Sequence, residues 1–175
     1  PRSTPRQTLF PYTTLFRSVL NGAVQVGLPR GYCIDRGAGR EDGDTAVIVM
    51  GRCRRDVEAE PAVLTTAIGP TGSGQVLAGG GEALAAYFTS DAGRAALSGS
   101  GEAAAVEIVQ AKMAGPAFVM RIRDRAAGEY WRAVESMAGR LITVTVTFPA
   151  GSSPAGGEAL LNQALSQLRR ANSGA

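Results

Sequence analysis

Two cysteines, Cys33 in "GYCID" and Cys53 in "MGRC", stand 20 positions apart in a 175-residue chain that contains no histidine. Those facts bound the chemistry. Without His there is no Ser-His or Cys-His nucleophile pair, no imidazole base and no mixed Cys/His zinc site. Two sulfurs alone are too few for a structural zinc site, and the spacing is not C-x-x-C. The pair is expected to form a disulfide, which for a loop of this length contributes about 3 kcal/mol. It would also imply an oxidising compartment, the periplasm in a bacterium. The competing expectation is two buried, reduced thiols acting as small hydrophobes. A simple hairpin centred on residues 36–44 favours the competitor, because it sets Cys33 near Val47 rather than Cys53. Asp35 lies close to Cys33, but there is no base to activate the thiol.

Four further constellations invite a chemical reading. "RIRDR" places Arg121, Arg123 and Arg125 on one strand face, where they suit an anion. Asp124 and Glu129 lie close by, so a solvated, charge-balanced face is the plainer expectation. "EYW" offers Tyr130 as a ligand contact, whereas a single Trp such as Trp131 belongs more often in a core with its N–H satisfied. "GPTGSGQV" (residues 69–76) follows a predicted strand and has the two glycines of a phosphate-binding loop. It lacks the Lys that reaches the phosphates and the hydroxyl that holds Mg²⁺: Gln75 and Val76 stand there instead. It reads as a Gly-rich turn. Glu41, Asp42 and Asp44 in "REDGD" read as a solvated turn, because the calcium-loop spacing and its closing Glu are missing. No cofactor or metal is expected.

Hydrophobic residues make up 45% and charged residues 19%, which argues for a folded domain and against disorder. No apolar run approaches the roughly 18 residues of a membrane span. The net charge of +3 would suggest nucleic acid until its location is considered. Residues 1–18 hold Arg2, Arg6 and Arg17 and no acid; the remainder holds 18 − 3 = 15 basic and 15 acidic residues. From Val19 onward the chain is neutral, so nucleic acid is not an expected partner. The opening stretch "PRSTPRQTLFPYTTLFRS" resembles the conceptual translation of a short-read sequencing adapter. Pro1–Thr4 and Thr8–Ser18 match its two ends, and Pro5–Gln7 fall where a sample index lies. The resemblance implies a non-native segment at 1–18 that packs poorly or stays extended. It also implies one native domain over 19–175 whose true N-terminus, and any signal peptide or lipid anchor, is missing.

The elements that must position these residues follow from periodicity. Short strands are predicted within Ala23–Asp35, around a Pro-Arg-Gly turn, followed by a polar loop at Arg36–Asp44. "TAVIVMGRC" (Thr45–Cys53) is a nearly continuous apolar run, predicting a strand buried on both faces. Ala62–Gly69 is a further strand. The stretch from Leu84 to Ala96 is helical, with Gly93 and the "TSD" cluster breaking it in two and Ser90 or Asp91 capping the second piece. Val106–Met113, Ala117–Asp124, Glu129–Met137 and Arg140–Phe148 form a meander with one apolar and one wetter face. In "ITVTVTF", Ile142, Val144, Val146 and Phe148 alternate with Thr143, Thr145 and Thr147. A C-terminal helix buries Leu160, Leu161, Ala164, Leu165 and Leu168, with Arg169 and Arg170 at its negative end.

The expected fold class is α+β: an antiparallel sheet, with a four-stranded C-terminal meander plus N-terminal strands, flanked by a central and a C-terminal helix. This element order resembles the PsbP-like fold, whose members serve photosystem assembly, envelope homeostasis and protein docking. Separately, "LPRGYCID…GRC…EYWRAV…RLITVTVTFPAG" resembles uncharacterised envelope proteins of Rhodobacter-type alphaproteobacteria, which implies no particular activity. The function expected on these grounds is a non-enzymatic envelope interaction or structural module with an unknown protein or small-molecule partner. The alternative is a small-ligand-binding module or a His-free enzyme, using the cleft between the sheet and the Leu84–Ala96 helix. Arg121, Arg123, Tyr130 or Asp35 would line that cleft.

Overall fold

A computed structural model describes residues 16–55, 58–150 and 153–173. Strands β1 (Phe16–Val19) and β2 (Val24–Gly27) form a hairpin of their own. The main sheet contains β3 (Tyr32–Asp42), β4 (Thr45–Arg52), β5 (Val63–Ile68), β6 (Val106–Ala114), β7 (Ala117–Asp124), β8 (Gly128–Met137) and β9 (Arg140–Thr147). Its order is β3-β4-β5-β9-β8-β7-β6, with every neighbouring pair antiparallel. Helices α1 (Gly80–Thr89) and α2 (Asp91–Leu97) lie between β5 and β6 in sequence, and α3 (Gly157–Asn172) ends the chain. The α+β class and the C-terminal meander are as the sequence predicts. Among the described residues no helix is long and apolar enough to cross a membrane.

The sheet has two cores, one on each face. On the first face, α3 and the β1–β2 hairpin cover Ile48, Met50, Leu64, Val119, Ala133, Ile142, Val144 and Val146 with Leu161, Leu165, Leu168, Val24 and Val26. The five expected apolar positions of α3 are all buried. On the second face, α1 and α2 press Leu84 and Leu97 onto Val106, Phe118, Met120, Ile122, Tyr130 and Val134. The break between these helices falls at Ser90, whose hydroxyl accepts from Gly93 N–H at 3.2 Å, the cap that the sequence offered. Trp131 is core, as expected, but its indole N–H finds no acceptor among the described residues. Gly157, at the start of α3, lies so close that a Cβ there would collide with the indole edge.

Three expectations are corrected. Residues 36–42 are not loop: β3 runs to Asp42, and the hairpin turns at Gly43, whose φ is 55°. The register of β3 against β4 then slips between Asp35 and Arg40, where Asp35 Oδ1 accepts from Gly37 N–H at 2.9 Å and Ala38 N–H at 3.3 Å. Cys33 consequently pairs with Gly51, not Val47, and Cys53 N–H donates to Gly31 O at 2.8 Å. The two sulfurs are brought to bonding distance, with Cα atoms 5.1 Å apart. Second, β4 is not buried on both faces: Ala46, Ile48 and Met50 are buried, whereas Val47 and Val49 are half-buried. Third, the wetter face is confined to part of the meander, because β7 buries Phe118, Met120 and Ile122 on one side and Val119 on the other. Of the opening segment, residues 1–15 lie outside the described residues. Phe16–Ser18 belong to the extended β1, with Phe16 48% exposed and Arg17 3.5 Å from Glu41.

Two enclosed ionic ties stand out. Glu135, with its side chain 4% exposed on β8, accepts a bidentate pair of hydrogen bonds from Arg169 of α3 at 2.7–3.1 Å. Arg140, at the start of β9, is equally enclosed; it bonds the Asp44 carboxylate and the Asp44 and Gly69 carbonyls, joining three strand ends. Arg140, and then the Thr71 N–H, hold the Asp44 carboxyl down at about 2. Asp44 therefore contributes stability that is fully present above pH 4 and is lost as pH falls towards 2. The thermal midpoint of the wild type should fall more steeply than that of Asp44→Asn across this window, and parallel curves would contradict the tie. For the cysteines, unfolded but unreduced protein should expose no titratable thiol. A Cys33→Ala/Cys53→Ala variant should lose about 3 kcal/mol, seen as a midpoint lower by roughly 6–12 °C.

Candidate functional site

Antiparallel register assigns each side chain of the sheet to a face. Val47 of β4 pairs with Ala67 of β5, and Ala67 with Thr143 of β9. Val49, Thr65 and Thr145 form the next row, and Val63 pairs with Thr147. All of these lie on the face opposite α3. They are half-buried, except Val63, which is 42% exposed. The β-branched and threonine positions that made these strands legible thus end on an open, uncharged surface across β4, β5 and β9. The cysteine pair sits at its outer edge, since Cys33 shares the face of Gly51 and Asp35 that of Val49.

Arg132 of β8 borders this surface, paired with Thr145. Its Nε donates to Thr145 Oγ1 at 3.1 Å, and its guanidinium carbon lies 5.2 Å from the Tyr130 ring centroid. Tyr130 is itself fixed: its hydroxyl donates to Leu97 O at the end of α2, at 2.7 Å, and burial pushes its pKa up. Helix α2 therefore holds the tyrosine, and the tyrosine holds the arginine at the rim of the open face. Among the described residues no carboxylate lies within ion-pairing distance of Arg132.

The residues singled out by sequence are not brought together. Arg121 and Arg123 lie on the α3 side of the sheet, opposite to Tyr130, because Ile122 is the residue that pairs with Tyr130. Both arginines are engaged: Arg121 with Glu129, and Arg123 with Glu107 at 2.8 Å and Glu129 at 3.3 Å. Arg121 also lies over the Trp131 ring at 5.9 Å. Asp35 organises the register slip of β3 on the open face. Asp124, buried, caps a turn by accepting from Gly99, Ala126 and Ala127 N–H groups, the first of which contributes most to its lowered pKa. Among the described residues no group of three or more Cys, Asp or Glu side chains is placed to hold a metal ion. Sequence reading missed Arg132. Its one signal was alternation with Tyr130 within "EYWRAV".

Comparison with known proteins gives the architecture a place. No family model and no curated protein matches the chain. Among solved structures, the cyanobacterial PsbP protein CyanoP of Synechocystis sp. PCC 6803 superposes with a TM-score of 0.52 at 14% identity, covering 94% of this chain and 98% of its own. The fold is PsbP-like. The Ran-binding protein Mog1p of Saccharomyces cerevisiae aligns at a TM-score of 0.47 and 12% identity, over 89% of this chain and 92% of its own. At these identities the likeness shows the fold alone.

Removing the Tyr130 hydroxyl tests the support beneath Arg132. Tyr130→Phe leaves the buried Leu97 carbonyl without its donor and should cost about 1–2 kcal/mol. Amide exchange should accelerate in α2 while β4–β5 stay protected; unchanged protection of α2 would show that the hydroxyl does not anchor it.

Proposed function

We propose that this chain is a non-enzymatic interaction module of the bacterial cell envelope, and that it docks a partner on the open face of β4, β5 and β9. One observation carries the reading. The space between α1–α2 and the sheet, where the alternative reading puts a ligand cleft, is filled by Leu84, Leu97, Phe118, Met120, Ile122 and Val134. Among the described residues no helix packs a comparable layer on the adjoining half of the same face, whose side chains are half-buried or, at Val63, exposed. A sheet normally buries each apolar face against another layer. Here Val47, Val49, Val63 and Ala67 await one. The alternative, a ligand or reaction site in the α1–α2 cleft, would have to displace a packed core.

Two further observations support an envelope placement: the cysteines at bonding distance, and the resemblance of the Cys33, Cys53 and Trp131 segments to Rhodobacter-type envelope proteins. On the same reading Pro1–Ser18 is adapter-derived. The test is a photo-crosslinking amino acid at Val49 or Thr145, compared with exposed Asn162 on α3, in cells expressing the complete gene. Periplasmic fractions should yield the same discrete adducts from the two sheet positions and none from Asn162. A cytosolic protein with reduced cysteines would overturn the placement, and adducts from Asn162 alone would overturn the docking face.

A further inference from the structure

Arg132 stands out when the charges of the chain are considered together. Among the described residues, the other arginines that are partly or wholly buried each meet a carboxylate: Arg17 meets Glu41, Arg94 Asp91, Arg121 Glu129, Arg140 Asp44 and Arg169 Glu135. Arg132 is partly buried too, yet its contacts are one hydroxyl and one aromatic ring, both neutral. Removing a cation partly from water without a counter-charge costs free energy, and a guanidinium carries five donors of which one is used here. The side chain is also held in place, from one side by Tyr130 and from the other by Thr145. It is therefore preorganised to receive an anion at no cost in rotamer entropy.

We propose, building on the docking face above, that its occupant is an amphipathic segment of a partner protein carrying an Asp or Glu, whose carboxylate pairs with Arg132 while apolar neighbours cover Val47, Val49 and Ala67. The shape of the surface favours a chain segment over a small molecule. Four strands, β4-β5-β9-β8, at about 4.8 Å spacing make a shelf roughly 15 Å across, enough to seat one helix of about 10–12 Å diameter. The charge pattern selects the partner: beside the Val, Ala and Thr rows Arg132 is the half-buried charge, whereas Asp35 and Arg40 lie exposed at the far edge on β3, with the Asp35 carboxylate taken up by the Gly37 and Ala38 N–H groups. An acidic residue gains an ion pair in a partly dry setting, and a basic one is repelled.

The experiment uses the folded, disulfide-bonded chain and a random twelve-residue peptide library displayed on phage. Enriched peptides should carry Asp or Glu flanked by apolar residues and should shift the amide resonances of Val49, Ala67 and Thr145. Replacing the peptide's acid by its amide should weaken binding to the unaltered protein by about tenfold or more, a comparison independent of how any variant folds. Arg132→Gln should erase that preference, and rising salt should lower affinity for the acidic peptide only. Peptides that bind this face equally well without an acid would overturn the acidic partner while leaving the docking face intact. Resonance shifts confined to other surfaces would overturn both. Saturable binding of acetate at Arg132 with no peptide preference, or a dimer in sedimentation that Arg132→Gln dissolves, would replace the partner protein by a small anion or by a second copy of the chain.

Discussion

Strand β9 is the constraint on which the rest depends. It sits at the centre of seven strands, between β5 and β8, although it is the last to be synthesised. Its strict alternation sends Ile142, Val144 and Val146 to α3 and Thr143, Thr145 and Thr147 to the other side. The register with β5 and β8 copies that division outward, so Leu64 and Trp131 join the α3 core while Thr65 and Arg132 do not. A slip of one residue would exchange the two sets and place three hydroxyls under α3. The pairing is non-local, since β5 and β9 are separated by two helices and three strands. The sheet therefore closes only when the meander meets the N-terminal strands.

The helices then divide the labour unequally. Helix α3 contributes a full apolar stripe and two ionic ties, Arg169 to the buried Glu135 and Glu158 to Lys112 of β6. A buried ion pair is weak evidence of net stabilisation, but it fixes geometry: a carboxylate so enclosed tolerates no other rotation of α3. On the opposite face, the core under α1 and α2 is built on β6, β7 and β8, with Leu141 at the start of β9 on its border. Two short helices broken at Ser90 cannot span a seven-stranded sheet, so β4, β5 and most of β9 stay open there. The open surface is thus a consequence of helix length and placement. The side chains on it, threonine and small β-branched residues, can tolerate water in a way that Phe or Leu would not.

Much of this was legible in the sequence, for local reasons. Periodicity located the meander, the stripe of α3 and the alternation of β9, and the Ser90 hydroxyl marked the break between α1 and α2. What could not be read depended on partners distant in sequence. The strand character of 36–42 rests on the Asp35 side chain capturing two N–H groups and so absorbing the extra residues, which let Cys33 slide into reach of Cys53. The apolar run of β4 promised two buried faces, but coverage of the second depends on where α1 ends. Arg132 was invisible for a stronger reason. A missing counter-charge is a property of all the ion pairs together, whereas Arg121 and Arg123 attracted notice merely by adjacency.

The edges of the sheet sharpen what the open face means. An antiparallel sheet can recruit another chain at an edge strand or on a bare face. Here both edge strands are irregular: β3 slips its register between Asp35 and Arg40, and β6 does so between Ile108 and Gln110. Such bulges twist the free N–H and C=O groups out of line and blunt strand addition. Charged side chains, Arg40 and Glu41 on β3 and Glu107 and Lys112 on β6, add to that protection. The cysteine pair pins the start of β3, keeping the irregular edge from peeling away. With both edges discouraged, an ordered association is channelled to the face. There Arg132, half-buried and with no carboxylate beside it among the described residues, favours partner sequences that carry an acid.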